Sequence, residues 1–228
     1  NILHMKRLIG WVTILLSAVV IAQKPIEKSI GEFTELKVYD LIEVELVKSN
    51  EYKVVITGNN SEEVLINNKN GTLKIKMNIN KLFDGNKTKV VLYYKTVDII
   101  DANEGAKVYS KGAIKQYEID LRAQEGGSID VSVNVEYINI KAVTGGIIRA
   151  SGDSESQKVA LLTGGIYNGE SLETTKTEVS INAAGEAHVN ASKIVDVKIR
   201  AGGDVFIYGN PETVNESTVL GGRINRVN

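Results

Sequence analysis

From residue 98 onward the chain alternates apolar and polar residues in short runs, and a pair of small residues interrupts the runs at a nearly fixed interval. The pairs are Gly105-Ala106, Gly126-Gly127, Gly145-Gly146, Gly164-Gly165, Ala184-Gly185, Gly202-Gly203 and Gly221-Gly222, spaced by 21, 19, 19, 20, 18 and 19 residues. Five residues before each pair stand Ile100, Leu121, Ile140, Val159, Val179 and Val197, a column broken only by Glu216. Three before stand Ala102, Ala123, Ala142, Leu161, Ile181, Ile199 and Thr218, and three after stand Val108, Ile129, Ile148, Tyr167, Ala187, Val205 and Ile224. The positions between are mostly polar, among them Arg122, Lys141, Ser180 and Lys198 on one side and Asp130, Arg149, Asn168 and His188 on the other. Alternation with period 2 on both sides of a small-residue step predicts strands meeting at a corner. A fixed period near 20 predicts that the corners stack as a solenoid, each strand pairing in parallel with its copy in the next coil.

The small pairs then have a structural role. Every coil must turn at the same place, glycine reaches positive φ without steric cost, and stacked corners leave little room for side chains between layers. Gly105, Gly126, Gly127, Gly145, Gly146, Gly164, Gly165, Gly185, Gly202, Gly203, Gly221 and Gly222 are therefore expected as corner residues. A phosphate-binding role is disfavoured, since no pair opens a helix and no G-x-G-x-x-G or P-loop pattern occurs. A calcium ladder would need an Asp at a fixed offset, where this chain has Lys107, Ser128, Ile147, Ile166, Glu186, Asp204 and Arg223.

The first half alternates less regularly. Ile42-Val44-Leu46 and Leu73-Ile75-Met77 are separated by Glu43, Glu45, Lys74 and Lys76, and breakers fall at Gly58-Asn59-Asn60, Asn68–Gly71 and Asp84-Gly85-Asn86. Asn70-Gly71 is a hairpin signal, so an antiparallel meander stays open for residues 33–95. The preferred expectation is early, irregular coils of the same solenoid, with residues 78–89 as a projecting loop. No stretch after residue 22 sustains a helical period.

The amino terminus is of a different kind. Met5 is followed by Lys6-Arg7, an uncharged run from Leu8 to Ala22, and a small-residue site at Val20-Ile21-Ala22, the layout of an export signal cleaved before Gln23. The 15-residue run is short of the roughly 20 that a membrane span needs. The expected organisation is a signal peptide over 1–22, a linker over 23–32 and a solenoid domain over 33–228, with no membrane span in the mature chain.

Composition narrows the chemistry. Of 228 residues, 43% are hydrophobic, enough for a packed core, and none is cysteine, which removes thiolate metal sites, disulfides and cysteine nucleophiles. Lys and Arg number 27 against 28 Asp and Glu, so nothing in the net charge favours nucleic acid as a partner. No cofactor or metal is expected.

The order of these features resembles the head GIN domain family, the auto-transporter adhesin head domain found largely in Bacteroidetes. The resemblance is carried by Phe33-x-x-Leu36-x-Val38, by Gly71-Thr72-Leu73-x-Ile75, by the Gly-Gly-Ile steps at 145–147 and 164–166, and by Val205-Phe206-Ile207-Tyr208-Gly209-Asn210-Pro211 followed by Gly221-Gly222. It covers roughly residues 33–228. It implies a right-handed parallel β-helix and an adhesive role at the cell envelope, and it supplies no catalytic residues. The chain has no room for a membrane barrel, so self-transport is not implied for it.

Candidate chemistry is sparse. His188, the only His after residue 22, alternates with Ala187 and Val189 and is expected to face solvent. Asp98, Asp101, Glu104, Asp120 and Asp130 form a carboxylate cluster of the kind that β-helix lyases and hydrolases use, but Lys107, Lys111, Lys115 and Arg122 are interspersed, as on a solvated face. Tyr93-Tyr94 places one ring outward. Val143, Ile147, Leu162 and Ile166 are apolar where alternation asks for polar residues, and form a candidate interaction surface if no other strand covers them. The favoured function is an exported, non-catalytic binding or adhesion module, whose partner is a glycan, an envelope protein or a second copy. The alternative is a secreted carbohydrate-active enzyme of the β-helix type, with a cleft walled by long loops.

Overall fold

The structure, a computed structural model, describes residues 24–227; the expected signal peptide and its cleavage site lie outside the described residues. The first part of the chain contributes β1 (Ile26–Ser29), β2 (Glu35–Val38), β3 (Glu43–Lys48), β4 (Lys53–Gly58), β5 (Val64–Lys69), β6 (Thr72–Met77) and β7 (Thr88–Tyr94). The second contributes β8 (Ile99–Ala102), β9 (Lys107–Ser110), β10 (Ile114–Gln124), β11 (Ser128–Val143), β12 (Ile147–Leu162), β13 (Gly165–Ile181), β14 (Gly185–Asn190), β15 (Ile194–Ala201), β16 (Asp204–Tyr208), β17 (Thr213–Leu220) and β18 (Arg223–Arg226).

From β8 onward the molecule is a parallel β-solenoid. Its register pairs Ile100 with Leu121, Leu121 with Ile140, Ile140 with Val159 and Val159 with Val179, so the sequence columns become physical stacks. These residues, and those of the Ala102 to Ile199 and Val108 to Val205 columns, are at most 2% exposed and form one continuous core. The long strands β11, β12 and β13 bend around the coil and pair on more than one side of it, with a register shift between Arg149 and Ser151.

The corners divide the work between two positions. At the third and fourth steps Thr144-Gly145 and Thr163-Gly164 take φ of 48°, 71°, 50° and 75°, two successive left-handed residues as in a type I′ turn, and the amide of Gly146 closes its turn on the Val143 carbonyl at 3.0 Å. Gly146 itself does not have positive φ. A Cβ there would lie 2.1 Å from the Ala123 carbonyl oxygen of the coil beneath, whereas one on Gly145 would meet nothing within 4 Å. Positive φ and close layer contact, expected together at each glycine, thus fall on different residues of the pair. At the later corners the two coincide: Gly203 and Gly222 take φ of 119° and 123° and also approach the coil beneath.

The first half is neither purely coiled nor purely a meander. β2 runs parallel between β6 and β8, and β3 parallel between β7 and β9. The coil that comes first in sequence is therefore second in the stack, inserted between the Thr72–Tyr94 and Ile99–Ser110 segments. Beyond it the strands turn antiparallel: β5 on β6 through Asn70-Gly71, β4 on β7, and β1 on β4. Residues 23–32, expected as a linker, contain β1 on the edge of this cap and the buried Ile30. The expected loop at 78–89 closes earlier, because β7 already begins at Thr88. Asp40 ties it down by accepting from the amides of Met77 at 2.9 Å and Phe83 at 3.3 Å.

Candidate functional site

The apolar candidates lie on either side of the Gly corner. Val143 pairs with Leu162 just before it and Ile147 with Ile166 just after it, so two stacked pairs flank the turns Thr144-Gly145 and Thr163-Gly164. All four side chains are half-buried and alternate with buried neighbours on their strands, so they face outward. Farther along the same edge, Val219 and Leu220 are 70% and 73% exposed.

The carboxylate cluster disperses. Asp98 and Asp130 are exposed. Asp101 is 5% exposed, accepts from Lys37 Nζ at 3.4 Å through one oxygen, and leaves its Oδ1 without a partner. Glu104 sits at the corner beside Asp40; burial first, then the Asp40 carboxylate, raises its pKa above the ordinary value. Asp120 is held by Arg122 at 2.7 Å and Asn139 at 2.8 Å. Among the described residues no group of three or more acidic or His side chains is arranged to hold a metal ion.

His188 points outward but is not free in solvent, a correction to its expected exposure. The coil above lays Phe206 on its ring, centroids 4.6 Å apart and planes 11° from parallel. Nδ1 is 3.1 Å from the Tyr208 hydroxyl and Nε2 2.9 Å from Glu186 Oε1, leaving the side chain 20% exposed.

Two further polar clusters serve the fold. Glu45, only 3% exposed on the outer side of β3, is clamped by Lys111 at 2.7 Å and Lys89 at 2.8 Å, and Tyr109 donates to it at 3.2 Å. These bonds, from Lys111 first and Lys89 next, pull its carboxyl down to about 2. Inside the coil, the Tyr167 hydroxyl donates to Gln157 Oε1 at 2.9 Å, and Gln157 Nε2 donates to Thr177 at 2.8 Å.

A groove of about 670 Å³ crosses β11, β12 and β13 and is lined by polar and acidic residues including Glu136, Asp153, Glu155 and Glu173. Sequence reading passed over one surface feature, the exposed pair Tyr117 and Tyr137. Spacing alone does not signal it, since the two residues stand 20 apart while the local register is 19 and sets Tyr137 beside Glu118.

The comparisons agree with this architecture. The model of the family described as "Putative auto-transporter adhesin, head GIN domain" matches residues 32–211. The structure of a putative adhesin from Bacteroides fragilis superposes with a TM-score of 0.82 at 18% identity, covering 90% of this chain and 98% of its own. One of a putative adhesin from Parabacteroides merdae gives 0.70 at 14%, covering 90% and 96%. One of a putative lipid binding protein from Parabacteroides distasonis gives 0.70 at 19%, covering 90% and 96%. At these identities the likeness establishes the fold alone. No curated protein matches the chain.

Proposed function

The chain belongs to the head GIN domain family, and on that premise we propose that it is an exported, non-catalytic binding module of the cell envelope, adhesive in kind. The observation that carries this reading is the shortness of the connections. From β8 to β18 no two successive strands are separated by more than four residues, so no loop rises to wall a cleft and the molecule offers long ladders of strand-borne side chains. Such a surface suits contact with an extended partner. The basic start at Lys6-Arg7 and the apolar run to Ala22 supply the export signal. The half-buried quartet Val143, Ile147, Leu162 and Ile166 is the contact stripe of the module, an apolar strip of two stacked pairs beside the corners.

The enzyme alternative receives less support. Asp101 is engaged by Lys37, Glu45 by two lysines and His188 by Phe206, Tyr208 and Glu186. The lipid binding named for one neighbour does not transfer either, because side chains fill the interior of this solenoid.

Cosedimentation of the purified full chain with envelope fragments of its native host tests the proposal. Saturable retention that Ile147→Lys with Ile166→Lys abolishes, at an unchanged melting temperature, is the expected result. Turnover of a polysaccharide that disappears in Asp98→Asn or Asp101→Asn would overturn it.

A further inference from the structure

The other seven tyrosines of this protein are buried or half-buried, but Tyr117 and Tyr137 are exposed. They are 66% and 43% exposed, one on β10 and one on β11, with ring centroids 5.3 Å apart and planes 62° from parallel. Leaving two such rings in water forgoes the burial that an aromatic side chain gains in a core or an interface. Beside them runs a groove of about 430 Å³ lined by Asp98, Ile99, Gln116, Tyr117, Glu118 and Asp120.

The side chains of Gln116, Glu118 and Asp120 along this groove are already fixed. Asn139 Nδ2 donates to Glu118 Oε1 at 2.9 Å and to Asp120 Oδ1 at 2.8 Å, tying the two carboxylates together. Arg122 donates to Asp120 Oδ2 at 2.7 Å. Gln116 Nε2 donates to the carbonyls of Val97 at 2.9 Å and Glu118 at 2.6 Å. A carboxylate has about four acceptor sites, so Glu118 and Asp120 keep lone pairs for further donors. Because their orientation is set by the protein, little ordering entropy remains to be lost when a ligand arrives.

We propose that this corner is a subsite for a neutral hexose unit of a glycan. A pyranose ring presents a face of C–H groups, which stacks on an aromatic ring, and a rim of hydroxyl donors, which the fixed carboxylates accept. The local charge selects among sugars: Asp98, Glu118 and Asp120 outnumber Arg122, so uronate, sialate and phosphate are repelled. The size of the groove also fits, since small-ligand sites occupy about 300–1,000 Å³, whereas a stable protein partner needs roughly 20–30 residues on each side.

The assignment rests on the reading of the chain as a binding module. It is tested by calorimetric titration of the full chain with maltohexaose, cellohexaose and mannohexaose, with oligogalacturonate as the acidic control. At least one neutral oligosaccharide is expected to bind, and oligogalacturonate is not. Tyr117→Ala and Tyr137→Ala should each weaken binding at least tenfold without moving the melting temperature, and Tyr117→Phe should retain it. Absence of binding to every neutral oligosaccharide, or binding indifferent to both alanine variants, overturns the subsite. So does retention on periodate-treated envelope fragments that needs Tyr117, because the rings would then be docking a protein. If no oligosaccharide binds while Ile147→Lys with Ile166→Lys still abolishes envelope retention, the subsite falls and the binding-module reading stands.

Discussion

Glu216 and Arg226 meet at 3.4 Å across the inside of the last described coil. Both occupy inward positions: Glu216 stacks on Val197 and Arg226 on Ile207, and these two apolar partners are at most 1% exposed. Among the described residues no coil covers this one, so its inward side chains meet water, and an ion pair replaces the apolar column. The break in the repeat at Glu216 thus marks where, among the described residues, the apolar core stops. Polar residues there also protect a sheet edge that would otherwise invite pairing.

Replacing Glu216 and Arg226 together with Leu is expected to leave the fold intact and create an adhesive end. Size-exclusion chromatography with light scattering should show concentration-dependent association in the double variant only. A variant that stays at the wild-type mass at every concentration would show that the pair has no such protective role.

The division of labour at the corners predicts unequal costs for two adjacent glycines. Gly145→Ala carries only the left-handed backbone penalty, about 1–2 kcal/mol. Gly146→Ala drives a methyl to 2.1 Å from the Ala123 carbonyl and must push two coils apart. Chemical denaturation should find Gly146→Ala the more destabilising by at least about 2 kcal/mol, within the range of severe single substitutions. Equal losses would contradict the stacking geometry.

The repeating half of the fold was legible because stacking forces one position of every coil into the same environment; Leu121, Ile140 and Val159 reveal their shared column by residue type alone. The first half was not, because alternation records which face of a strand is buried and says nothing about which coil it stacks on. Nothing in Leu36 or Val44 announces that their coil lies between two later ones. The site was harder still. Tyr117 and Glu118 are successive exposed residues where β10 bends, as are Glu136 and Tyr137 on β11, and strict alternation would bury one of each pair. His188 was rightly placed on the outer face, but its cover comes from Phe206 and Tyr208 in the next coil, which only the register brings together.

The clamp on Glu45 predicts a specific acid response. Its folded pKa, about 2, lies below the ordinary 4.5, so the unfolded chain takes up its proton first as pH falls. The stability it contributes is complete above pH 4.5 and is lost on descending toward pH 2. Glu45→Gln should be less stable than wild type at pH 7 and should show a shallower decline over that window in pH-dependent melting. Added salt should narrow the difference only in part, since the Lys111 side chain is 74% exposed while the Glu45 side chain is 4% exposed. Parallel curves for the two proteins would mean that the ion pairs add nothing to folding.

The buried polar layer offers a test of how the interior sets its own register. Tyr167 and Gln157 reach each other across the coil, and both are completely buried. Burial holds the phenol well above its ordinary pKa, so it stays a neutral donor. Tyr167→Phe removes the sole donor, among the described residues, to Gln157 Oε1 and leaves that oxygen unsatisfied, at a cost of about 1–3 kcal/mol. Gln157→Leu strands the phenol in the same way, while Thr174 and Thr177 still bond each other at 2.9 Å. The double variant removes both members at once and should lose less than the two single losses combined, by about 0.5–3 kcal/mol. A denaturation cycle reads this directly. Strict additivity would show that the bond contributes nothing beyond its two separate side chains, and that packing alone positions Tyr167 over the gap left by Gly169, where a Cβ would come within 2.3 Å of the phenol oxygen.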